Sequence, residues 1–236
     1  MKKLILVAGL ILGLSQTGLP LQAAEFTNMF NGTDLTGWEG ATNLWSVKDG
    51  EIIGQTSPES PAKENTFLIY TNNNPADFEM HCMFRISPQS KEGFANSGIQ
   101  YRSRVVKPSY WVVAGYQADM EAGPNYTGQL YEEKGRGFLA MRGQKTVIHP
   151  DGKKDIVGSF GTLEELGKEI HKGDWNEYVI IAQGDHLQQF INGKQMIDVV
   201  DDQKGRAATY GVIALQLHAG PPMKVEYKDL RLKELK

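Results

Sequence analysis

The sequence predicts an all-β sandwich or jelly roll, two antiparallel sheets stacked on one core, with one short helix in an insertion. Three observations carry that prediction. Apolar residues recur mostly at every second position, the period of a strand with one buried face. Hairpin-favouring pairs such as Asp49-Gly50 and Asn192-Gly193 punctuate those segments. The chain also holds 26 glycines, nine tyrosines, nine phenylalanines and four tryptophans, a balance suited to short strands joined by tight turns.

The first 24 residues stand apart from this pattern. Lys2 and Lys3 precede an apolar stretch from Leu4 to Leu14, and Pro20, Ala23 and Ala24 follow it. Charged start, apolar middle and small-residue exit are the parts of a signal peptide in their working order. The stretch is shorter than the ~20 residues a membrane span needs, and no cysteine stands at its exit. The expectation is a bacterial protein exported to the periplasm or beyond, with no membrane anchor after cleavage. Residues 25–236 are then expected to form one domain. Cys82 is the sole cysteine, so an intrachain disulfide is excluded.

The elements follow in order. Trp45 to Gly54 reads as a hairpin turning at Asp49-Gly50. In the next strand, Phe78, Met80, Cys82, Phe84 and Ile86 share one face, which places the thiol in the core. Asn96 to Arg102 sets Ile99 and Tyr101 inward and Asn96, Gly98, Gln100 and Arg102 outward. Trp111 to Met120 sets Tyr116, Ala118 and Met120 against Gln117 and Asp119. Gln144 to Gly161 reads as a turn-rich insertion. Thr162 with Glu165 three places on is a capping box, and Leu163, Leu166 and Ile170 share one face of a helix ending near Gly173. Tyr178 to Ala182 and Leu187 to Ile191 flank Gly184-Asp185, and Asn192-Gly193 leads into Gln195 to Val200. Gly211 to Leu217 and Met223 to Leu232 complete the set.

The charge balance, Lys+Arg 25 against Asp+Glu 28 with net charge -3, gives no strongly basic face and excludes a general nucleic-acid binder. Polar groups converge elsewhere. Three strands each carry two of them on one parity: Gln100 with Arg102, Gln117 with Asp119, and Gln216 with His218. Guanidinium, carboxylate, imidazole and amide together suit a sugar-like substrate with many hydroxyls. Gly123 to Gly143 adds Tyr131, Glu132, Glu133 and Arg136, with Gly135 and Gly137 flanking the arginine so that backbone can turn tightly beside a ligand. Ordinary glycosidases need two carboxylates around the scissile bond. The nearest match is Gln117-Ala118-Asp119-Met120-Glu121, whose first residue can neither attack nor donate as a carboxylic acid.

The ordered pieces Phe30-Asn31-Gly32-Thr33-Asp34-Leu35-Thr36-Gly37-Trp38, Asn96-Ser97-Gly98-Ile99, Gly115-Tyr116-Gln117-Ala118-Asp119, Gly128-Gln129-Leu130-Tyr131, Gly135-Arg136-Gly137 and Leu215-Gln216-Leu217-His218 span nearly all of the chain after residue 25. In this order they resemble the 3-keto-disaccharide hydrolase domain family, described as 3-keto-glucoside 1,2-lyase and 3-keto-2-hydroxy-glucal hydratase. Many members carry Glu where Gln117 stands. The resemblance implies a concanavalin A-like jelly roll and cleavage by elimination: a ketone at C3 acidifies the C2 proton, a base removes it, the enolate expels the C1 substituent, and water later adds to the enone. On that reading His218 or Asp119 is the base, Arg102 stabilises the enolate and Glu132 is the acid. Asn96, Gln100, Gln117, Tyr131, Arg136 and Gln216 hold the sugar. No cofactor is required, although a divalent metal on His218 and carboxylates is an alternative to Arg102. The implied partners are a sugar-derived small molecule and an upstream sugar oxidoreductase that makes the ketone. A carbohydrate-binding module without turnover is the competing reading.

Overall fold

The computed structural model describes residues 25–235; the expected signal peptide lies outside them. The described residues form seventeen strands: β1 (Thr27–Asn28), β2 (Trp38–Glu39), β3 (Trp45–Lys48), β4 (Glu51–Gln55), β5 (Thr66–Tyr70), β6 (Phe78–Pro88), β7 (Asn96–Lys107), β8 (Val112–Glu121), β9 (Leu130–Glu133), β10 (Gly137–Ala140), β11 (Gln144–Ile148), β12 (Lys154–Ser159), β13 (Asn176–Gln183), β14 (His186–Ile191), β15 (Lys194–Asp201), β16 (Val212–Leu217) and β17 (Met223–Glu234). The larger sheet runs β12-β11-β15-β14-β13-β6-β17-β4-β3, with β1 beside β17. The smaller runs β10-β9-β8-β7-β16-β5-β2.

Local chemistry sets the turns. Asp49 and Gly50 have φ of 53° and 79°, and Asn192 and Gly193 have 50° and 78°. Two consecutive positive φ values match the right-handed twist of the strands they join, and Asp-Gly and Asn-Gly adopt them at low cost. Along β6 the alternation is clean: Phe78, Met80, Cys82, Phe84 and Ile86 are buried and the residues between them are partly exposed. These face a core shared by both sheets, where Tyr101, Tyr116, Tyr178 and Tyr227 are fully buried. Each phenol has a partner, as burial demands. Tyr227 Oη pairs with Ser97 Oγ at 2.8 Å, Tyr178 donates to Gln189 Oε1 at 2.9 Å, Tyr116 donates to Asp201 Oδ2 at 2.5 Å, and Tyr101 accepts from Gln189 Nε2 at 3.2 Å.

Two expectations need correction. The segment Gln144 to Gly161 is not merely turns: β11 and β12 pair there as a hairpin, and β11 lies parallel to β15, with Lys145 opposite Asp198. The sandwich therefore contains one parallel pair. Only Thr146 and Ile148 are buried on β11, too short an alternation to stand out among lysines and glycines. The helix α1 (Leu163–Gly167) has its capping box, with Thr162 Oγ1 accepting from Glu165 N–H at 3.1 Å and Glu165 Oε2 accepting from Thr162 N–H at 2.8 Å. It stops at Gly167 rather than near Gly173, because the following N–H groups of Lys168, Glu169 and Ile170 turn to carbonyls three residues back.

Candidate active site

Register lines up the polar residues on the outer face of the smaller sheet. Ala214, Gln100, Gln117, Tyr131 and Phe138 lie opposite one another across β16, β7, β8, β9 and β10. Gly98 pairs with Asp119 on the next rung, and Gln216 pairs with Phe67 on β5. At one end this face is apolar, with Phe67, Ile69, Val112, Val113 and Ala214 packed together. At the other it opens into a cleft of about 290 Å³ lined by Asn65, Asn96, Gln117, Asp119, Tyr126, Tyr131, Glu133, Phe138, Gln216 and His218. The missing side chain at Gly98 makes room: a Cβ there would stand 2.5 Å from Gln117 Cγ.

Six residues expected from the sequence thus meet in one place: Asn96, Gln117, Asp119, Tyr131, Gln216 and His218. Their amides are linked. Gln100 and Gln117 meet at 2.7 Å, Gln117 and Gln216 at 2.9 Å, and Gln117 and Asp119 at 3.1 Å. One amide atom of Gln216 has no protein partner although it is buried.

Four expected residues do not line the cleft. Arg102 sits in a β-bulge, where the β7–β8 register slips between Tyr101 and Arg104 and its φ is 45°. The bulge re-aims the side chain. Its Nε donates to Ala76 O at 2.7 Å, Nη1 to Gly184 O at 2.7 Å and Nη2 to Asp77 Oδ1 at 2.9 Å, so it clasps the seam between the sheets and holds no enolate. Glu132 points to the opposite side of β9 from Tyr131. It accepts from Arg136 Nε at 2.6 Å, while Arg136 Nη2 donates to Asp201 Oδ2 at 2.7 Å on β15. Glu132 and Arg136 therefore tie the β9–β10 hairpin to the larger sheet, and neither the acid role nor the sugar-binding role fits them. Gln100 is fully buried beneath the cleft and meets Gln117 rather than a ligand.

Four lining residues went unassigned. Glu133 faces the cleft by the same alternation that turns Glu132 away, so strand parity on β9 could have found it. Asn65 accepts from Ala219 N–H at 3.1 Å beside His218. Tyr126 and Phe138 stack with centroids 5.7 Å apart and planes at 19°, and Tyr131 meets Phe138 edge-on at 5.1 Å. Tyr126 and Phe138 remain 40% and 38% exposed, which leaves an aromatic surface for a ligand at the rim. Their positions depend on long-range supports that a sequence does not reveal. Glu121 Oε1 accepts from Tyr126 N–H at 2.7 Å, and Arg142 donates to Thr127 O at 2.6 Å and Pro124 O at 2.8 Å. Glu121 is thus occupied with the loop, which removes it as a second catalytic carboxylate.

Burial divides the titratable groups by role. It pushes the Asp119 carboxyl up to about 8, and the charges of Glu121 and Glu133 add to the effect. At neutral pH Asp119 holds its proton. Burial also raises Glu133 and lowers His218, so the imidazole is neutral. His218 Nδ1 faces the Ala219 carbonyl at 2.5 Å. A carbonyl only accepts, so the ring proton sits on Nδ1 and the Nε2 lone pair is free. Among the described residues no group of three or more His, Cys, Asp or Glu is arranged to hold a metal ion.

Comparison with solved structures returns the same architecture. A candidate glycosyl hydrolase from Parabacteroides distasonis ATCC 8503 is similar with a TM-score of 0.57 and 18% identity over 89% of this chain and 94% of that one. The carbohydrate-binding module CBM66 from Bacillus subtilis gives 0.52 and 14% identity over 88% and 100%. The beta-glucanase of Bacillus licheniformis gives 0.50 and 14% identity over 94% and 100%. At these identities the likeness shows a shared jelly-roll fold, which hosts several functions. No curated protein matches the sequence. A family model does match, from residue 25 to residue 233, and by it the chain belongs to the 3-keto-alpha-glucoside-1,2-lyase-like domain family.

Proposed function

We propose that the protein is an exported enzyme that cleaves 3-keto-glycosides by elimination, or adds water to the resulting enone. One observation carries the reading: a neutral imidazole with a free Nε2 and a carboxyl that keeps its proton line the same cleft. Those are the base and the acid that elimination requires.

The steps follow from that pair. His218 Nε2 takes the proton from C2, and its electrons pass into the C2–C3 bond to form the C3 enolate. Collapse of the enolate restores the C3 ketone, forms the C1–C2 double bond and breaks the C1–O bond. The departing oxygen takes the Asp119 proton. Hydration reverses the roles: carboxylate Asp119 accepts a proton from water as it adds to C1, and protonated His218 returns a proton to C2. The enolate oxygen gains hydrogen bonds from the side-chain amides of the cleft, chiefly Gln216, in place of the guanidinium expected from the sequence. Tyr126 and Phe138 offer a flat face for the leaving sugar or aglycone. An upstream oxidoreductase would supply the ketone.

The stacked pair at the rim also favours a second reading, a sugar-binding module without turnover. Incubation of the protein with a 3-keto-glucoside separates the two. Enone absorbance and released aglycone are expected; saturable binding with the substrate unchanged would overturn the enzyme reading.

A further inference from the structure

Gln100 is fully buried and does not itself line the cleft, yet it fixes what the cleft presents. One atom of its amide lies 3.1 Å from Tyr116 O and 3.3 Å from Gly115 O, and 2.8 Å from Ser103 Oγ. Two backbone carbonyls can only accept, so that atom is the nitrogen. The Gln100 oxygen then faces Gln117 at 2.7 Å. Oxygen cannot face oxygen at that distance without a proton between them, so Gln117 turns its nitrogen toward Gln100. The same nitrogen meets Gln216 at 2.9 Å, which must present its oxygen. The other amide atom of Gln117, now its oxygen, lies 3.1 Å from Asp119 Oδ1. Two acceptors remain face to face unless the carboxyl carries the proton.

We infer that Gln100 is a positioning residue whose amide sets the direction of the Gln216–Gln117–Asp119 hydrogen-bond chain, so that Asp119 rests as a donor to Gln117. The use of that proton on a leaving oxygen rests on the function proposed above; the direction of the chain does not. The same direction puts the Gln216 nitrogen where the unpartnered buried amide atom lies, giving the cleft wall an N–H for a substrate oxygen. One group opposes it, the Met120 N–H that donates to Asp119 Oδ1 at 3.2 Å, and burial with the neighbouring carboxylates outweighs it. Glu121 is on its own strand, Tyr131 and Glu133 are on β9, Tyr178 Oη on β13 lies 3.4 Å from Asp119 O, and neutral His218 follows β16. None is a cation at neutral pH that would hold the carboxyl ionised.

The test is carbon-13 NMR of the aspartate carboxyls in the full chain without substrate, so its outcome is independent of turnover. In the unmutated protein Asp119 is expected to titrate above about 8, the value that belongs to a carboxylate still receiving a Gln117 N–H. In Gln100→Leu, Gln117 is free to turn its nitrogen to the carboxylate, and the acid dissociation constant should rise tenfold or more. An unchanged midpoint in the folded variant would overturn the proposal. If the variant does not fold, the unmutated protein decides. A coupling across the hydrogen bond from the Gln117 side-chain nitrogen to the Gln100 side-chain carbonyl carbon is expected, and one to the Asp119 carboxyl carbon instead would overturn the proposal.

Discussion

Replacing Asp119 by Asn should stabilise the protein, and by an amount that grows with pH. The carboxyl is buried and titrates near 8 in the fold against 3.8 for the free group. A group whose folded value is raised keeps its proton more tightly when folded. Its cost is absent below the unfolded value, grows as pH rises from there, and stops growing above the folded value. Each pH unit in that window is worth about 1.4 kcal/mol. The stability gap between the Asp119→Asn variant and wild type should therefore widen from about pH 4 to about pH 8 with a slope approaching that figure, amounting to several kcal/mol at neutral pH on the same linkage. The amide keeps the size of the side chain and a donor toward Gln117, so packing is preserved. Denaturant unfolding of both proteins at intervals across this range measures the gap. A flat difference would show that Asp119 is not held protonated, and the assignment of acid and base would fall with it.

Other perturbations separate scaffold from site. Arg102→Leu should cost about 3–5 kcal/mol, because it strips a buried cation from the carbonyls and carboxylate it joins. The folded fraction, measured by calorimetry alongside kinetics, should keep its kcat; a large loss of kcat with stability intact would return Arg102 to the mechanism. Gly98→Ala drives a Cβ into Gln117 and should lower turnover at least tenfold in steady-state assays, whereas a near-normal rate would show that the amide chain tolerates displacement. Removing the rim surface with Phe138→Ala should weaken sugar binding by about 0.5–1.5 kcal/mol, read as a several-fold rise in KM by initial rates. An unchanged KM would place the ligand elsewhere.

What could be read from the residues was governed by local rules. Hairpin turns, the β6 alternation and the capping box depend on neighbours in sequence, and each appears at the expected residues. The cleft was half legible for the same reason: parity brought Asn96, Gln117, Asp119, Tyr131, Gln216 and His218 to one face. The failures are places where a local rule is broken or a distant partner decides. The bulge at Arg102 breaks the parity that β7 keeps from Asn96 to Tyr101. Glu132 and Arg136 answer to Asp201, 65 or more residues away in sequence, and so bind scaffold instead of sugar. Glu133 was missed although the alternation on β9 selects it over Glu132. The wall of Tyr126 and Phe138 depends on Arg142 and Glu121 fastening a loop, which no spacing announces.

In the proposed reaction His218 removes the C2 proton of a 3-keto-glycoside. Proton NMR in deuterated buffer, with a 3-keto-glucoside and either wild type or His218→Ala, tests it most directly. Loss of the C2 proton signal together with aglycone release is expected with the wild-type protein, and neither with the variant. Persistence of the C2 proton on substrate that binds the wild-type protein, or a variant that works at a near-normal rate, would contradict it.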